Sequence, residues 1–338
     1  MPETLADFLG ESKDTVVVSA DSAGRVDLVM EAGRRRFVVE VKTSARAGAV
    51  ADALRRLQAY VLELGGGSVP LVVVPFMGEV GRRLCQEAGC NWMDLSGNGN
   101  ISASGLRIRV DGQPNKYKSP GRPASVFAPK SSRVVRWLLV HPDVPSSQRD
   151  LARSTGVDEG HLSRIVHRLE TDRLVERDDS GRLVVPNPAL LLDAWKESYS
   201  FSKHDLMRGH MPARSGEAMV RQLSEQLAKR RVEHAVTGLG AAWLMTGFAS
   251  FRLATFYLRD WPTNDLLSEL GFREEERGAN TWLVLPNDEG MFHGAKDWQG
   301  VRCVHPIQVL LDLQEHPERS AEAAGRLRSE LLSWSGNA

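Results

Sequence analysis

The pattern of hydrophobic and polar positions divides this chain of 338 residues into regions of different periodicity. Near the start, β-rich runs at residues 25–31 and 35–42 precede residues 48–66, where apolar side chains recur at helical spacing. A continuous apolar run at residues 70–76 is typical of a strand covered on both faces. Further helical and hairpin patterns follow it. The pattern therefore predicts an α/β domain around a small mixed sheet over residues 1–111.

The middle of the chain predicts three short helices followed by a hairpin. The helices are predicted over residues 131–141, 145–157 and 158–174, and the hairpin over residues 175–186. This order is the layout of a winged helix–turn–helix, in which the third helix enters the DNA major groove. The pattern therefore predicts a DNA-binding domain over residues 131–188.

The third predicted helix has one apolar face and one polar face. Leu162, Ile165, Val166 and Leu169 recur at helical spacing, and Asp158 is a predicted N-cap. The polar side chains that we predict to contact DNA from this helix are His161, Ser163, Arg164, His167 and Arg168. Arginine pairs bidentately with guanine, and serine and histidine reach base edges or phosphates. The alternative is the solvated face of a winged-helix protein-interaction module.

Basic residues precede this module and recur in its hairpin. Residues 112–130 contain four prolines and no acidic residue, which is typical of an extended linker. The basic side chains that we predict to contact DNA here are Lys116, Lys118 and Arg122 in the linker and Arg177 and Arg182 in the wing. Asp178 and Asp179 at the wing tip oppose a close phosphate contact. A linker that only improves solubility is the alternative for residues 112–130.

Composition and charge limit the class of protein. The formal net charge is zero, so any affinity for nucleic acid must come from local basic patches. No apolar run approaches the length of a membrane span, and the acidic start lacks the apolar core of a signal peptide. Cys85, Cys90 and Cys303 have no metal-like spacing and indicate buried thiols in a reducing compartment. We therefore expect a cytoplasmic protein without a membrane partner.

Acidic residues and a lysine lie together on two neighbouring predicted strands. Glu40 and Lys42 are two residues apart on one strand and so share a face, and a hairpin brings Asp27 beside them. Asp27 and Glu40 could hold Mg²⁺, and Lys42 could orient a water molecule or stabilise developing negative charge. Gln58, on the following helix, is a further polar candidate. A solvated strand edge is the alternative.

This pattern of acids and lysine resembles the PD-(D/E)xK nuclease-like fold, although Val26 stands where that pattern usually has proline. Gln58 resembles the extra polar residue of some resolvase-like and Mrr-like members. The resemblance implies a restriction-endonuclease-like domain and leaves two alternatives. One is a Mg²⁺-dependent DNA endonuclease that uses Asp27, Glu40, Lys42 and Gln58 as catalytic residues. The other is an inactive relative that needs no cofactor, and we expect this one.

Residues 91–101 are rich in asparagine and glycine, which favour positive φ angles and tight turns. We interpret this segment as a turn between a strand and the next hairpin, with Asp94 as its cap. The alternative is that Asp94 contacts a partner.

Residues 189–338 alternate predicted helices and strands, so a second α/β domain is expected there. This segment resembles a degenerate nucleotidyltransferase fold. An active enzyme of that kind needs a Gly-Ser turn and a pair of acids on strands to hold metal and phosphates. Residues 237–240 resemble a remnant of the turn, but a later strand offers only Asp260 beside Arg259. We therefore expect no transfer activity and an interaction or dimerisation role.

Two longer-range resemblances concern function. Residues 150–152, 156–157, 163–169 and 174–177 resemble winged-helix modules of bacterial transcription regulators, which implies operator binding by a dimer on a palindrome. Residues 94–98, the winged helix and residues 303–324 together resemble bacterial regulators related to abortive-infection (AbiEi-like) antitoxins of type IV toxin–antitoxin systems. That resemblance implies a repressor of its own operon whose C-terminal domain antagonises a nucleotidyltransferase-type toxin.

Together these patterns predict a multidomain α/β chain with a central winged helix. The expected parts are a restriction-endonuclease-like domain at 1–111, a basic linker at 112–130, the winged helix at 131–188 and a degenerate nucleotidyltransferase-like domain at 189–338. The expected function is a homodimeric DNA-binding repressor of double-stranded operator DNA. The alternative is a metal-dependent endonuclease targeted by the winged helix.

Overall fold

The computed structural model describes residues 6, 8–10, 16–19, 24–32, 34–64, 67–117 and 126–334. Its chain divides into two compact units. The first comprises Met1–Ala124 with Leu169–Leu174, and the second comprises Ser125–Arg168 with Val175–Ala338. Most of the predicted winged helix therefore belongs to the same unit as the C-terminal α/β region.

The first unit is built on one seven-stranded sheet whose strands lie in chain order. Its elements are β1 (Val16–Ser19), β2 (Leu28–Ala32), β3 (Arg35–Val41), α1 (Ala47–Glu63), β4 (Ser68–Val74), α2 (Glu79–Glu87), β5 (Asn91–Asp94), β6 (Gly99–Ala103) and β7 (Leu106–Val110). β3, β4 and β5 are parallel, and the other neighbours are antiparallel. The sheet is mixed, as the sequence predicts.

Two layers of apolar side chains cover this sheet. Val72 and Val74 of β4 pack on one face with the apolar stripe of α1, while Leu71 and Val73 pack on the other face. All four side chains are buried. Successive strand residues point to opposite faces, so a run that is apolar at every position fits a strand covered on both sides. The prediction for residues 70–76 is confirmed.

The interpretation of residues 91–101 as a turn is wrong for residues 91–94 and 99–101, which lie in the strands β5 and β6. Asn91–Asp94 form β5, a buried strand parallel to β4. The Asn91 amide is satisfied there, because its Nδ2 donates to Pro70 O at 3.0 Å and its Oδ1 accepts from Ser102 N at 2.6 Å. The turn itself is shorter, and the predicted cap is confirmed: Asp94 accepts hydrogen bonds from the backbone nitrogens of Ser96 and Asn98.

The second unit begins with the winged helix. The winged helix consists of α3 (Pro129–Val140), α4 (Gln148–Thr155), α5 (Glu159–Thr171), β8 (Glu176–Arg177) and β9 (Leu183–Val184), and the last three residues of α5 belong to the first unit. Ser147 caps α4 by accepting from Asp150 N at 3.1 Å, and Gly156 ends it with φ of 64°. Asp158 accepts from His161 N at 2.8 Å, which confirms it as the N-cap of α5. Local capping residues therefore set the ends of these helices.

A second seven-stranded sheet follows, in the order β13-β10-β14-β12-β11-β16-β15. The strands are β10 (Asp205–His210), β11 (His234–Thr237), β12 (Ala254–Leu258), β13 (Arg273–Glu274), β14 (Thr281–Leu285), β15 (Lys296–Trp298) and β16 (Val301–Cys303). The helices are α6 (Pro188–Ser198), α7 (Gly216–Lys229), α8 (Gly238–Thr246), α9 (Asn264–Glu269), α10 (Pro306–Asp312) and α11 (Ser320–Leu331). Every residue of the central strands β11 and β12 is buried.

The winged helix and this second sheet pack together through α3, which contacts α6, α10 and a 3-10 turn at Glu289–Phe292. The Arg133 guanidinium donates to both carboxylate oxygens of Asp288 at 2.8–3.0 Å. The rings of Phe127 and Trp195 stack with centroids 6.5 Å apart. The first helix of the winged helix is thus also part of the C-terminal core.

Candidate nucleic-acid interface and buried polar clusters

The apolar stripe of α5 is buried, as its spacing predicts. Leu162, Ile165, Val166 and Leu169 are at most 3% exposed. Because these side chains fix the rotation of the helix, the opposite face must point outward. The sequence therefore determines which side chains of α5 are available for recognition.

The structure places three of the five predicted α5 residues together on the exposed face. Ser163, Arg164 and His167 are exposed and lie within one turn of one another. Arg168 is half-buried. His161 is also half-buried, and its Nε2 lies 3.0 Å from the hydroxyl of Ser131 on α3. His161 is therefore tied to the neighbouring helix rather than placed with the other three.

The wing presents two arginines beside a tightly bonded turn. Arg177 and Arg182 are both exposed. The Asp178 carboxylate accepts from Ser180 Oγ at 2.7 Å and from Arg182 N at 2.9 Å. The hydrogen bond from Ser180 lowers the pKa of Asp178. One of the two acids predicted to oppose phosphate therefore builds the turn, while Asp179 remains exposed at the tip.

The basic linker is described at residues 112–117 and 126–130. Lys116 is exposed, and its backbone nitrogen donates to Ser96 Oγ at 3.3 Å within the first unit. Lys118 and Arg122 lie outside the described residues. The role of all three in DNA binding stays a prediction.

Two exposed arginines of α4 were missed by the sequence reasoning. Arg149 and Arg153 are four residues apart and both are exposed. Four residues is one helical turn, so they share a face of α4 and add positive charge to the winged helix. Their spacing within the second predicted helix was the signal that could have identified them.

The first unit brings Asp27, Glu40 and Lys42 together at one end of the β2–β3 hairpin. Glu40 is 0% exposed, and its Oε2 lies 2.7 Å from Lys42 Nζ. Asp27 Oδ2 accepts from Val41 N at 2.8 Å. Burial raises the pKa of Glu40, while Lys42 acts in the opposite direction and Asp27 adds to the increase. The predicted proximity of these three side chains is confirmed.

Other members of this cluster differ from the prediction. Gln58 is exposed on a different side of α1, and the helix instead contributes Asp52 and Arg56. Arg56 Nη1 lies 3.3 Å from Glu40 Oε2, and Lys42 Nζ lies 3.5 Å from Asp52 Oδ2. Glu40 Oε1 has no hydrogen-bond partner among the described residues. Over the same residues, no group of three or more His, Cys, Asp or Glu side chains is arranged to hold a metal ion.

Asp312 of α10 is a buried carboxylate that bonds to side chains of the C-terminal sheet. It is 0% exposed and accepts short hydrogen bonds from the hydroxyls of Tyr199 and Thr237. It also accepts from Gln308 Nε2 at 2.6 Å and from the Tyr257 hydroxyl at 3.1 Å. Burial raises the pKa of Asp312 to about 6, although the hydrogen bonds oppose that change.

Asp312 lies within residues 303–324, which resemble the antitoxin-related regulators, and no pattern in the sequence predicts a role for its side chain. Of the residues expected in a remnant nucleotide site, Thr237 joins the cluster, whereas Asp260 is exposed. Gly238 has φ of 59°, and a Cβ there would meet His316 Nε2 at 2.6 Å. The ring of His316 therefore requires glycine at this turn.

Burial of the three cysteines is confirmed, and burial raises the pKa of each thiol. None of the helices in the described part of the chain is long and apolar enough to cross a membrane.

Comparison with known proteins identifies the winged helix. A family model described as MarR family matches residues 128–182. The matched segment covers α3, α4, α5 and part of the wing, and it supports a DNA-binding transcriptional regulator. No curated protein and no solved structure matches the chain.

Proposed function

We propose that the protein is a transcriptional repressor that binds double-stranded operator DNA as a homodimer, with α5 in the major groove. The observation that carries this proposal is the exposed row of Ser163, Arg164 and His167 within the segment matched by the MarR family. Arginine and histidine on an exposed helix face can reach guanine or phosphate, and the wing arginines extend the positive surface.

The charge distribution supports binding by local contacts rather than by the field of the whole protein, because the net charge is zero. Arg149 and Arg153 on α4, and Arg177 and Arg182 in the wing, would contact phosphates. Lys116, Lys118 and Arg122 would follow the backbone from the linker. Binding should then weaken steeply as salt concentration rises, since each phosphate contact releases counterions.

Footprinting on the DNA upstream of the protein's own coding region tests the operator proposal. We expect a protected palindrome whose half-sites are one helical turn apart, and light scattering of the complex should give two chains per site. A complex containing one chain would contradict the dimer. The absence of any protected sequence across the upstream region would contradict operator binding.

For the C-terminal α/β region we propose a more specific role, antagonism of a toxin. The resemblance of residues 303–324 to regulators related to AbiEi-like antitoxins supports it. Co-expression with the neighbouring gene product tests this role. We expect the full chain to rescue growth. We expect this rescue to be lost when α10 and α11 are disrupted. Toxicity that persists in the presence of the full chain would contradict the antitoxin role.

A second candidate function is a Mg²⁺-dependent DNA endonuclease, and the buried Glu40 beside Asp27 favours it. Glu40 Oε1 is without a partner among the described residues, and Lys42 Nζ lies 2.7 Å from Glu40 Oε2, where it could stabilise developing negative charge. Plasmid nicking with Mg²⁺ or Mn²⁺ should be lost in Glu40→Gln and Lys42→Ala and kept in Glu87→Gln, an exposed acid on α2. Intact DNA with the unaltered chain would exclude this function.

A further inference from the structure

Arg136 is a charged side chain in the interior of the second unit. It lies on α3 of the winged helix and is 1% exposed. Its Nη2 donates to the sulfur of Met291 at 3.3 Å, and its guanidinium carbon lies 5.0 Å from the centre of the Trp195 ring. Its Nε and Nη1 have no acceptor among the described residues. Thioether sulfur is a weak acceptor, so most of this donor capacity is unused.

The nearest acids are already bonded to other groups. Asp312 accepts from Tyr199, Thr237, Tyr257 and Gln308. Asp288 accepts three hydrogen bonds from the Arg133 guanidinium and one from Gly290 N at 2.7 Å. Neither acid forms an ion pair with Arg136 among the contacts of the described residues. A buried cation without a paired charge is strongly unfavourable, and buried polar groups in native proteins are nearly always bonded.

Two further polar atoms, on or directly after the elements that α3 contacts, also have no hydrogen-bond partner among the described residues. These are Nε2 of His293 and Oε1 of Gln308, whose side chain is 0% exposed. Burial and the charge of Arg136 lower the pKa of His293. Burial, followed by the charge of Arg136, also lowers the pKa of His204 to about 4 and that of His305 to about 3. The three rings are therefore neutral at pH 7. Burial lowers the pKa of Arg136, and the negative charges that act on it, those of Asp312 and Asp288, raise it against that effect.

We propose that Arg136 is the charged ligand of a binding site for a small monovalent anion, either a halide or a small carboxylate. The anion would accept from Arg136 Nε or Nη1. A compact anion of single charge is the class that this site suits, because Arg136 offers two donors without an acceptor among the described residues and a more highly charged ion would bring more charge into the interior.

The position of the site links the anion to the winged helix. Arg136 belongs to α3, whereas Met291 and Gln308 belong to the C-terminal part of the same unit. An anion bound at Arg136 would stabilise the packing of α3 against that part. An effect of the anion on DNA affinity follows only if the proposed repressor function holds, while anion binding itself is independent of it.

Thermal unfolding of the full chain without DNA tests the site. Sodium bromide and sodium formate are titrated separately at constant ionic strength. We expect a saturable rise in Tm with at least one anion in the unaltered chain. The saturable rise should be lost in Arg136→Met and kept in Arg326→Met, an exposed arginine on α11. The anion that produces the rise identifies the source as halide or carboxylate.

Crystals of the unaltered chain grown with bromide give a second readout that does not depend on the folding of a variant. An anomalous peak within hydrogen-bond distance of Arg136 Nε or Nη1 is expected. Water at that position, together with an equal dependence of Tm on anion in the unaltered chain and in Arg136→Met, would overturn the proposal. A peak present only at molar bromide, with no saturable rise in Tm, would mean an adventitious ion and would also overturn it.

Discussion

Glu40 and Asp312 are buried carboxylates, one in each unit, and their bonding partners differ. Glu40 in the first unit contacts two cations, Lys42 and Arg56, and keeps one oxygen unbonded among the described residues. Asp312 in the second unit is bonded by neutral donors, including the hydroxyls of Tyr199 and Tyr257. The cations around Glu40 are partly exposed, with side-chain exposures of 17% and 37%.

The Glu40 cluster is therefore a site whose cations could exchange the carboxylate for another partner, whereas Asp312 has a structural role. Lys42 and Arg56 can turn toward solvent or toward a phosphate, so the loss of Glu40 would leave them hydrated. The donors around Asp312 are held inside the sheet and would be left without an acceptor. The comparison therefore predicts a large stability effect in the second unit and a small one in the first.

The largest effect is expected for Asp312→Ala. Removal of the carboxylate leaves three hydroxyls and an amide without their acceptor in the interior, so the free energy of unfolding should fall by about 3–5 kcal/mol. Urea denaturation followed by tryptophan fluorescence measures it, since Trp92 is the one tryptophan of the eight that precedes residue 125. A loss below about 1 kcal/mol would contradict the structural role of Asp312.

Acid should destabilise the second unit selectively. Burial lowers the pKa of His204 and His316 to about 4 and that of His305 to about 3. Below pH 6.5 the unfolded chain binds protons at these rings that the folded chain does not bind, so stability falls as pH falls. Asp312 acts in the opposite direction, because its raised pKa gives stability that is lost as pH rises through about 6.

Three histidines outweigh one aspartate, so the net loss from pH 7 to pH 5 should be roughly 4 kcal/mol in the free energy of unfolding. Urea denaturation at the two pH values measures it. All nine histidines of the chain follow residue 140, so no histidine of residues 1–124 can add to this acid effect. Equal stability of the second unit at both pH values would contradict the assignment of neutral buried rings.

Glu40→Ala is the matched test in the first unit. We expect a loss of about 1–2 kcal/mol in the free energy of unfolding. The loss is small because Lys42 retains its ion pair with Asp52, and because the Arg56 side chain is partly exposed to water. Protection of β3 and β4 from hydrogen exchange reports on this unit. A loss as large as that of Asp312→Ala would remove the distinction between the two carboxylates.

The sequence predicts what depends on neighbouring residues. The period-2 spacing of Glu40 and Lys42 and the hairpin before them place Asp27 correctly, and the spacing of Leu162 to Leu169 defines the exposed face of α5. Capping residues give the helix ends of the winged helix to within about three residues. These features are determined by local geometry.

Features that depend on distant partners were missed. β5 has a polar first residue, Asn91, and is a strand because Pro70 and Ser102 satisfy its amide. The Asp312 cluster combines residues from α10, β11, β12 and the segment after α6, and no spacing in the sequence brings these together. Gln58 failed to join the Glu40 cluster because α1 turns Asp52 and Arg56 toward it instead.

Arg164→Ala should have the smallest effect on stability, below about 0.5 kcal/mol, because the side chain is exposed. The same variant tests the central proposal most directly when its affinity for the upstream DNA is measured by fluorescence anisotropy. We expect Kd to rise at least about tenfold at constant salt, as for the loss of one base contact. Arg326→Ala, on α11, should bind like the unaltered chain. Equal affinity of Arg164→Ala and the unaltered chain would contradict recognition of DNA by α5.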